Sequence, residues 1–306
     1  MTSASRRVAT IDIGTNSVLL LIAESTPTGL VPVIELATIT RLGQGVDRAR
    51  RLAPEAVERT LECLAHYARV ISSNGPMQTI AVGTSAMRDA QGGAEFRERA
   101  AAILGVAPRV ASGDEEAELT FFGSLSGLPQ TNEVLVFDVG GGSTELIVGA
   151  HQSGPRHKIS LDIGSVRLTE RHVRSDPPLS SELVRIREDV RRSLDSVPFE
   201  IATEQVVGVA GTVTTIFAYV RNVAPYDASR VHGMSLCTDE VAAAADRLAA
   251  LTTAERKAIA AIDPKRADVI VAGTVLVDEL LKRAKAHSMT VSDRGVRWGL
   301  AARAFQ

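Results

Sequence analysis

One short pattern occurs twice in this chain of 306 residues, and it constrains the fold more than any other feature. Residues 8–23 read VATIDIGTNSVLLLIA, and residues 134–149 read VLVFDVGGGSTELIVG. In each copy an apolar, β-prone run reaches an aspartate, Asp12 or Asp138, then a turn with glycine follows, and a second β-prone run leads away. This pattern predicts a β-hairpin. Because the copies align without a gap and share Asp-x-Gly-x-x-Ser, we expect two related domains that offer their carboxylates and turns to a shared cleft.

The turn of the second copy is suited to binding an anion. Three consecutive glycines, Gly140–Gly142, let backbone N–H groups converge on a ligand without interference from Cβ atoms. Two common phosphate loops are excluded. No Lys-Ser/Thr pair follows the glycines, and Glu145 occupies the third glycine position of a dinucleotide fingerprint. For one copy alone, a glycine-rich turn without a ligand is an equal alternative, and the repetition favours the phosphate loop.

The composition is that of an ordinary globular protein, with 45% hydrophobic and 23% charged residues. The formal net charge of −2 gives no support for a nucleic acid or a membrane held by bulk electrostatics. An anionic substrate would need local positive sites instead. No apolar run approaches the roughly 20 residues that span a bilayer, and the two cysteines have no metal-ligand spacing. We expect a cytoplasmic protein with reduced thiols.

The order of predicted elements over residues 8–128 is β-β-β-α-β-α-β-α, which makes one α/β domain. The second hairpin opens another. We therefore expect domains at 1–128 and 129–306, with the option that the last helix, 293–306, packs back on the first domain.

Several turns from a strand into a helix carry hydroxyls, glycine or arginine. Thr84-Ser85 is expected to cap a helix whose first turn holds Arg88, and Gly211-Thr212 follows an apolar strand. Arg297 lies near the start of the last helix. Free N–H groups and the helix dipole attract anions at such places. Solvated surface arginines are an equal alternative for Arg88 and Arg297.

A cluster of acids begins the helix after residue 112. Ser112 and Glu115 have the spacing of a capping box, in which each side chain satisfies a backbone N–H of the helix end. Glu116 points about 100° away around the helix and has no such duty. Acids at a helix start usually complement its dipole, so a catalytic role for Glu116 is the minority interpretation from the residues alone.

Taken together, the motifs resemble one family. The chain is similar to the exopolyphosphatase and guanosine pentaphosphate phosphohydrolase family, within the superfamily of actin, sugar kinases and Hsp70. The motifs that carry the resemblance span almost the whole chain in the family order: IDIGTNS at 11–17, VGTSAMRD at 82–89, SGDEEA at 112–117, DVGGGSTE at 138–145, GVAGT at 208–212, VHG at 231–233 and SDRGVR at 292–297.

This resemblance implies two duplicated RNase H-like (actin-like ATPase) α/β domains with a cleft between them. It also implies hydrolysis of the terminal phosphoanhydride of inorganic polyphosphate or of the 5′-γ-phosphate of guanosine pentaphosphate. In such enzymes the second glutamate of Ser-Gly-x-Glu-Glu, here Glu116, acts as the base. Longer members add C-terminal helical domains that this sequence lacks, which favours short polyphosphates. Family habit also suggests a homodimer.

From these points we derive a hypothesis for the site. Arg88 neutralises charge on the phosphoryl group, and Glu116 activates the attacking water. Asp12, Asp138 and Glu145 hold Mg²⁺, or Mn²⁺ in its place, because these ions prefer oxygen ligands. The residues expected to bind substrate phosphates are Gly14, Thr15, Asn16, Ser17, Gly140, Gly141, Gly142, Ser143, Thr144, Gly211, Thr212 and Arg297.

Three alternatives to a polyphosphatase stay open. One is a pppGpp 5′-phosphohydrolase with the same chemistry. Another is a non-catalytic sensor of ppGpp or pppGpp, although inhibition by ppGpp is also compatible with an enzyme. The last is an ATP-dependent sugar or acetate kinase, for which the residues show no acceptor site.

Overall fold

The computed structural model describes residues 7–129 and 133–305. The chain divides into two compact units. The first unit comprises residues 1–123 and 296–306, and the second comprises 124–295. The division therefore falls a few residues before the expected boundary at 128, and the end of the chain belongs to the first unit.

Strands and helices alternate along the described chain in the order expected of an α/β protein. The strands are β1 (Arg7–Ile13), β2 (Ser17–Thr26), β3 (Gly29–Ile39), β4 (Gln78–Gly83), β5 (Arg109–Val110), β6 (Val134–Val139), β7 (Thr144–Ala150), β8 (Gly154–Leu161), β9 (Gln205–Val209), β10 (Met234–Cys237) and β11 (Ser288–Val291). The helices are α1 (Val46–Ala49), α2 (Pro54–Ser73), α3 (Ser85–Asp89), α4 (Gly93–Leu104), α5 (Gly113–Leu125), α6 (Ser165–His172), α7 (Ser180–Asp195), α8 (Ala210–Arg221), α9 (Thr238–Ala249), α10 (Thr253–Lys257), α11 (Ile270–Arg283) and α12 (Val296–Ala304), with a 3-10 turn at Ala228–Arg230.

The first unit is built on a five-stranded sheet in the order β3-β2-β1-β4-β5. The pairs β1–β2 and β2–β3 are antiparallel, whereas β4 runs parallel to β1 and to β5. Because successive side chains of a strand point to opposite faces, β1 supplies apolar groups to both faces. Ile11 packs on the face covered by α2 and α4, and Val8 packs on the other face with Trp298 of α12.

The second unit repeats this arrangement with one strand added. Its sheet has the order β10-β11-β9-β6-β7-β8. Here β6–β7 and β7–β8 are antiparallel, and β9 runs parallel to β6 and to β11, so that β8-β7-β6-β9-β11 corresponds to the five strands of the first unit. Helices α7, α8, α9 and α11 contribute to one large apolar core. The expectation of two duplicated RNase H-like domains is confirmed.

The last helix begins later than the expected residue 293. Residues Ser288–Val291 form β11, which pairs with β9 and with β10, and α12 begins only at Val296. α12 packs on β1 and β2 of the first unit, and residue 306 lies outside the described residues.

Candidate active site

The tips of the two predicted hairpins have the same geometry. In the first, the Gly14 amide donates to the Ser17 carbonyl over 2.9 Å, and in the second the Gly140 amide donates to the Ser143 carbonyl over 3.1 Å. Asp12 and Asp138 lie near the ends of β1 and β6, as the sequence indicates. The duplication therefore extends to the hydrogen bond that closes each turn.

The first tip is held from behind by the segment after β3. The Thr15 carbonyl accepts from the Gly43 amide over 2.9 Å. The Asn16 carbonyl accepts from the amides of Thr40 and Arg41 over 3.0 and 2.9 Å. These bonds turn the carbonyls of the tip towards the protein.

The second tip is held in the same way by the start of α6. The Gly140 carbonyl accepts from the Ser165 amide over 3.0 Å, and the Gly141 carbonyl accepts from the amides at positions 166 and 167 over 2.9 and 3.1 Å. The buried Arg167 donates from Nε to the Gly142 carbonyl over 2.7 Å. The role of Arg167 is not evident from the sequence, because an arginine near the start of a helix is usually a surface residue.

A glycine is needed where α6 meets this tip. A Cβ on Gly164 would lie 2.8 Å from the Gly142 nitrogen and 2.6 Å from the Gly141 carbonyl carbon. Real Cβ atoms do not come so close to a backbone, so only glycine allows α6 to approach the loop at this distance.

In the second hairpin, unlike the first, the aspartate near the turn faces another carboxylate on the opposite strand. Asp138 is the cross-strand partner of Glu145, whereas Asp12 pairs with Leu19. Directly opposed residues of an antiparallel pair share a face, with Cβ atoms about 4.5–5.5 Å apart. Glu145 is almost fully buried, and its Oε1 accepts a hydrogen bond from the Ser160 hydroxyl over 2.7 Å. The first hairpin therefore has one acid where the second has a pair.

A metal site made entirely of protein ligands is absent from the part of the chain that the structure describes. No group of three or more His, Cys, Asp or Glu side chains there could hold an ion. Mg²⁺ usually keeps several waters and takes one or two carboxylates together with substrate phosphates. The donor set of Asp138 and Glu145 fits that mode of binding.

The first unit brings Glu116 and Arg88 together. Nη1 of Arg88 lies 3.2 Å from Oε2 of Glu116, and the same nitrogen donates to the Ala111 carbonyl over 3.3 Å. Glu116 is 7% exposed. The pair joins a carboxylate and a guanidinium that the sequence had selected separately.

The neighbouring Glu115 differs in part from its expected role. The Glu115 amide donates to the Ser112 hydroxyl over 3.1 Å, as in a capping box. Its carboxylate, however, binds Arg109 over 2.6 Å and Arg303 over 3.1 Å. The hydrogen bond from Arg109 holds the pKa of the Glu115 carboxyl below its ordinary value of 4.5. Two arginines outcompete the cap because charged donors form stronger hydrogen bonds than a backbone amide.

The turn after β4 also differs from expectation. The Thr84 side chain makes no capping hydrogen bond to α3. Instead, the Ser85 hydroxyl is 2.7 Å from the Thr15 hydroxyl and links this turn to the first hairpin tip. Two nearby side chains, Asn16 in the first hairpin tip and Thr40 just after β3, are buried. The amide group of Asn16 and the hydroxyl of Thr40 have no hydrogen-bond partner among the described residues. Buried groups of this kind are costly unless a ligand or water satisfies them.

The remaining strand-to-helix turn joins β9 to α8. Ala210 has a positive φ of 73°, and Thr212 is buried. The guanidinium of Arg266 lies over Gly211, where a Cβ would be 2.7 Å from its Cζ. A positive charge therefore stands at this turn, supplied by a residue that the sequence analysis did not select.

Two predicted phosphate ligands have other partners. The buried Thr144 hydroxyl donates to the Ile163 carbonyl over 2.7 Å. Nη2 of Arg297 is 2.7 Å from Oε2 of Glu35, and the Arg297 carbonyl accepts from the Thr10 hydroxyl. Arg297 is 7% exposed and ties α12 to the sheet of the first unit. We therefore leave both residues out of the proposed phosphate-binding set.

His232, from the VHG motif at 231–233, belongs to a polar cluster. Its Nδ1 lies 3.3 Å from both the Ser292 hydroxyl and an Asp293 carboxylate oxygen, and its Nε2 lies 3.1 Å from the Ser126 carbonyl. This resembles a nucleophile–base arrangement, but Ser292 is fully buried and its hydroxyl donates to the Ser124 carbonyl. The cluster is structural.

The duplicated sheets, each with an aspartate leading into a hydrogen-bonded turn, define a protein of the actin-like class. The buried Glu116 and the partly exposed Arg88 place an acid beside a cation. The chain belongs to the Ppx/GppA phosphatase family, which matches residues 21–305. It is a hydrolase of the phosphatase type.

Individual relatives agree with this assignment. Exopolyphosphatase 2 of Mycobacterium tuberculosis is 39% identical, over 97% of this chain and 98% of its own length. The crystal structure of an exopolyphosphatase-like protein is 35% identical with a TM-score of 0.93, covering 99% of this chain and 98% of that one. A Ppx/GppA family member from Aquifex aeolicus is 33% identical with a TM-score of 0.84, covering 99% of this chain and 98% of its own.

No helix within residues 7–129 and 133–305 has the length and apolar character that crossing a membrane requires.

Proposed function

We propose that this protein is an exopolyphosphatase that removes the terminal orthophosphate of inorganic polyphosphate. The single observation that carries the proposal is the 3.2 Å contact between the buried Glu116 and Arg88. Hydrolysis of a phosphoanhydride requires a base for the attacking water and positive charge for the phosphoryl oxygens, and this pair supplies both. The exopolyphosphatase relative from M. tuberculosis supports the choice of substrate.

In the proposed reaction, Glu116 orients a water molecule and accepts its proton. The water oxygen bonds to the terminal phosphorus, and the bond from that phosphorus to the bridging oxygen breaks. Orthophosphate and a chain one phosphate shorter leave. Arg88 donates to the phosphoryl oxygens, whose negative charge grows during the transfer.

The two hairpin tips would bind the phosphates. Because several carbonyls of both tips are bonded to the protein behind them, an anion in front would meet amide groups of the tips. The turn at Gly14–Ser17 adds the Asn16 side chain, and the turn at Gly140–Ser143 presents bare glycine backbone. Gly211 and Thr212, with the guanidinium of Arg266 beside them, would also bind substrate phosphates.

Asp138 and Glu145 would hold a Mg²⁺ or Mn²⁺ ion, with Asp12 as the corresponding acid of the first hairpin. When bound, the ion would neutralise charge on the phosphate oxygens. We also propose a preference for short chains, because a formal net charge of −2 gives no bulk electrostatic attraction for a long polyanion.

The test is phosphate release, with Mg²⁺, from short polyphosphate, long polyphosphate and pppGpp at equal concentrations of scissile ends. The Glu116→Gln variant is the control. General base catalysis typically contributes 10²–10⁴-fold, so the variant should lose about that much turnover while it still folds and binds substrate. Near-normal turnover in Glu116→Gln would exclude this residue as the base.

Three outcomes separate the related functions. Release mainly from short polyphosphate supports the proposal. Release mainly from pppGpp assigns the same chemistry to a guanosine pentaphosphate phosphohydrolase. Binding of ppGpp without release from any substrate would identify a sensor and overturn the proposal.

A further inference from the structure

The last helix touches the helix that carries Glu116 at very short range. Gly299 of α12 faces the backbone of α5, and a Cβ at this position would lie 2.7 Å from the carbonyl carbon of Leu119 and 2.8 Å from its Cα. The Leu119 carbonyl oxygen would be closer still. None of these three Leu119 atoms can move alone, since all belong to a helix backbone. Any side chain at Gly299 must therefore push the two helices apart.

Leu119 lies three residues after Glu116, nearly one helical turn. A shift of α5 at Leu119 therefore also moves the turn that carries Glu116. The contact of Glu116 with Arg88 is already 3.2 Å long, and a further displacement of about 1 Å would take it beyond hydrogen-bond range.

Two other contacts join the same helices. Apolar side chains of both helices pack in one cluster with the strand residue Val82, its members being Val82, Ala111, Leu119, Val296 and Leu300. Arg303 of α12 pairs with Glu115 over 3.1 Å and with Glu118 over 3.7 Å. Glu115 directly precedes Glu116, so the ion pair acts on the same turn of α5.

We propose that Gly299 is a positioning residue for the hydrolysis, which sets the distance of α5 and thereby places Glu116 against Arg88. Arg303 supports this placement through Glu115. The inference rests on the proposed role of Glu116 as the base. It concerns the placement of that base and leaves substrate binding at the hairpin tips unaffected.

The expected signature is a loss of kcat without a change of KM. A misplacement of about 1 Å typically costs on the order of 10²-fold in rate, so we expect about that loss of kcat in Gly299→Ala, with KM within about twofold of wild type. Alanine also favours a helix interior over glycine by about 1 kcal/mol. The loss should therefore come without failure of α12 to form, as circular dichroism would report.

A double-mutant cycle separates positioning from general damage. If Gly299 acts through Glu116, adding Gly299→Ala to Glu116→Gln should lower the residual kcat by less than about threefold, because coupled residues are not additive. An equal fractional loss in both backgrounds would overturn the proposal, and so would a wild-type kcat in Gly299→Ala. Ala302→Ser, which adds one atom to the same helix at a partly exposed position, should retain wild-type kcat.

A second variant covers failure of Gly299→Ala to fold. Arg303→Gln adds no atom next to the α5 backbone and should lower kcat at least about threefold, again only while Glu116 is present. A full kcat in Arg303→Gln, together with an unfolded Gly299→Ala, would overturn the proposal. Loss of the proposed function is recognised separately, by near-normal turnover in the Glu116→Gln single variant.

Discussion

Arg88 and Glu116 form an ion pair whose carboxylate side chain is 9% exposed and whose arginine side chain is 26% exposed. Because the Glu116 carboxylate is so little exposed, bulk water contributes little to its solvation. The guanidinium of Arg88 stabilises its charge instead. One face of Arg88 is thus engaged with Glu116 and with the Ala111 carbonyl. A guanidinium has five N–H donors, so one arginine can bind several acceptors at once, and Nη1 of Arg88 contacts two.

The first prediction concerns the shape of this cation. Arg88→Gln should lower kcat by about 10²–10³-fold, the usual cost of removing a donor to developing charge. Arg88→Lys should recover only part of the loss, since an ammonium lacks the planar fork of donors. Steady-state phosphate release measures both variants. Full activity in Arg88→Lys would show that only the charge matters.

The second prediction concerns the carboxylate pair of the second hairpin. Asp138→Asn should raise the Mg²⁺ concentration that gives half-maximal activity by about tenfold or more, because an amide is a weaker ligand than a carboxylate. Binding of Mn²⁺ without substrate, followed by electron paramagnetic resonance, gives a readout that does not depend on turnover. Asp195→Asn removes an exposed carboxylate of the same unit and is the matched control. Unchanged Mn²⁺ affinity in Asp138→Asn would remove this residue from the metal site.

The third prediction concerns the arginine behind the triple-glycine turn. Arg167→Met leaves the Gly142 carbonyl without its 2.7 Å donor, and an unsatisfied buried acceptor costs about 1–3 kcal/mol. The turn should loosen, and KM should rise about tenfold with a smaller change in kcat. Kinetics at varied substrate concentration give the two constants. Arg171→Met, on the same helix but paired with Asp189, should retain the wild-type KM.

The fourth prediction concerns stability in acid. Glu279 is 3% exposed and binds Arg187 and Arg191. Burial disfavours its charged form, but the hydrogen bonds from Arg191 and Arg187 outweigh that effect and hold the pKa of Glu279 below its ordinary value of 4.5. A lowered pKa means that this stabilisation is complete above about pH 4.5 and is lost as the pH falls through the folded-state value.

Glu279→Gln should accordingly destabilise the second unit by about 3–5 kcal/mol at pH 7, the usual cost of breaking a buried ion pair. That corresponds to a melting temperature lower by on the order of 10 °C for a unit of this size. The difference from wild type should shrink as thermal unfolding is repeated at decreasing pH below 4.5. The control is Glu188→Gln, which replaces an exposed acid on α7 and should keep the melting temperature of wild type. A melting-temperature difference between Glu279→Gln and wild type that does not change with pH would contradict the assignment.

The sequence predicted the fold well where local signals agree. In both hairpins, strand propensity, turn residues and the position of the aspartate point to the same structure, and the structure has it. The short strands β10 and β11 were missed. Each has only four residues, and such strands form because β9 already offers an edge, which is information held in distant parts of the chain.

For the site, the family resemblance pointed to Glu116, a residue for which the helix start alone favoured a structural role, and the structure buries it beside Arg88. Several of the differences involve partners far away in sequence. Arg297 and Glu35 are separated by 262 positions, so nothing near either residue reveals their ion pair. Nothing in the sequence distinguishes Gly299 from an ordinary helix residue, since its close contact is with the backbone of α5.

The position of α12 in the fold has a consequence for folding during synthesis on the ribosome. The segment that covers Val8, Leu21 and Ala23 with Trp298 is translated after all of residues 124–295. Domains generally fold as they emerge, from the N-terminus onwards. The sheet of the first unit is therefore synthesised before the helix that covers the apolar residues on one of its faces. Until α12 leaves the exit tunnel, those residues stay uncovered, and the nascent chain offers chaperones an apolar binding surface throughout the synthesis of the second unit.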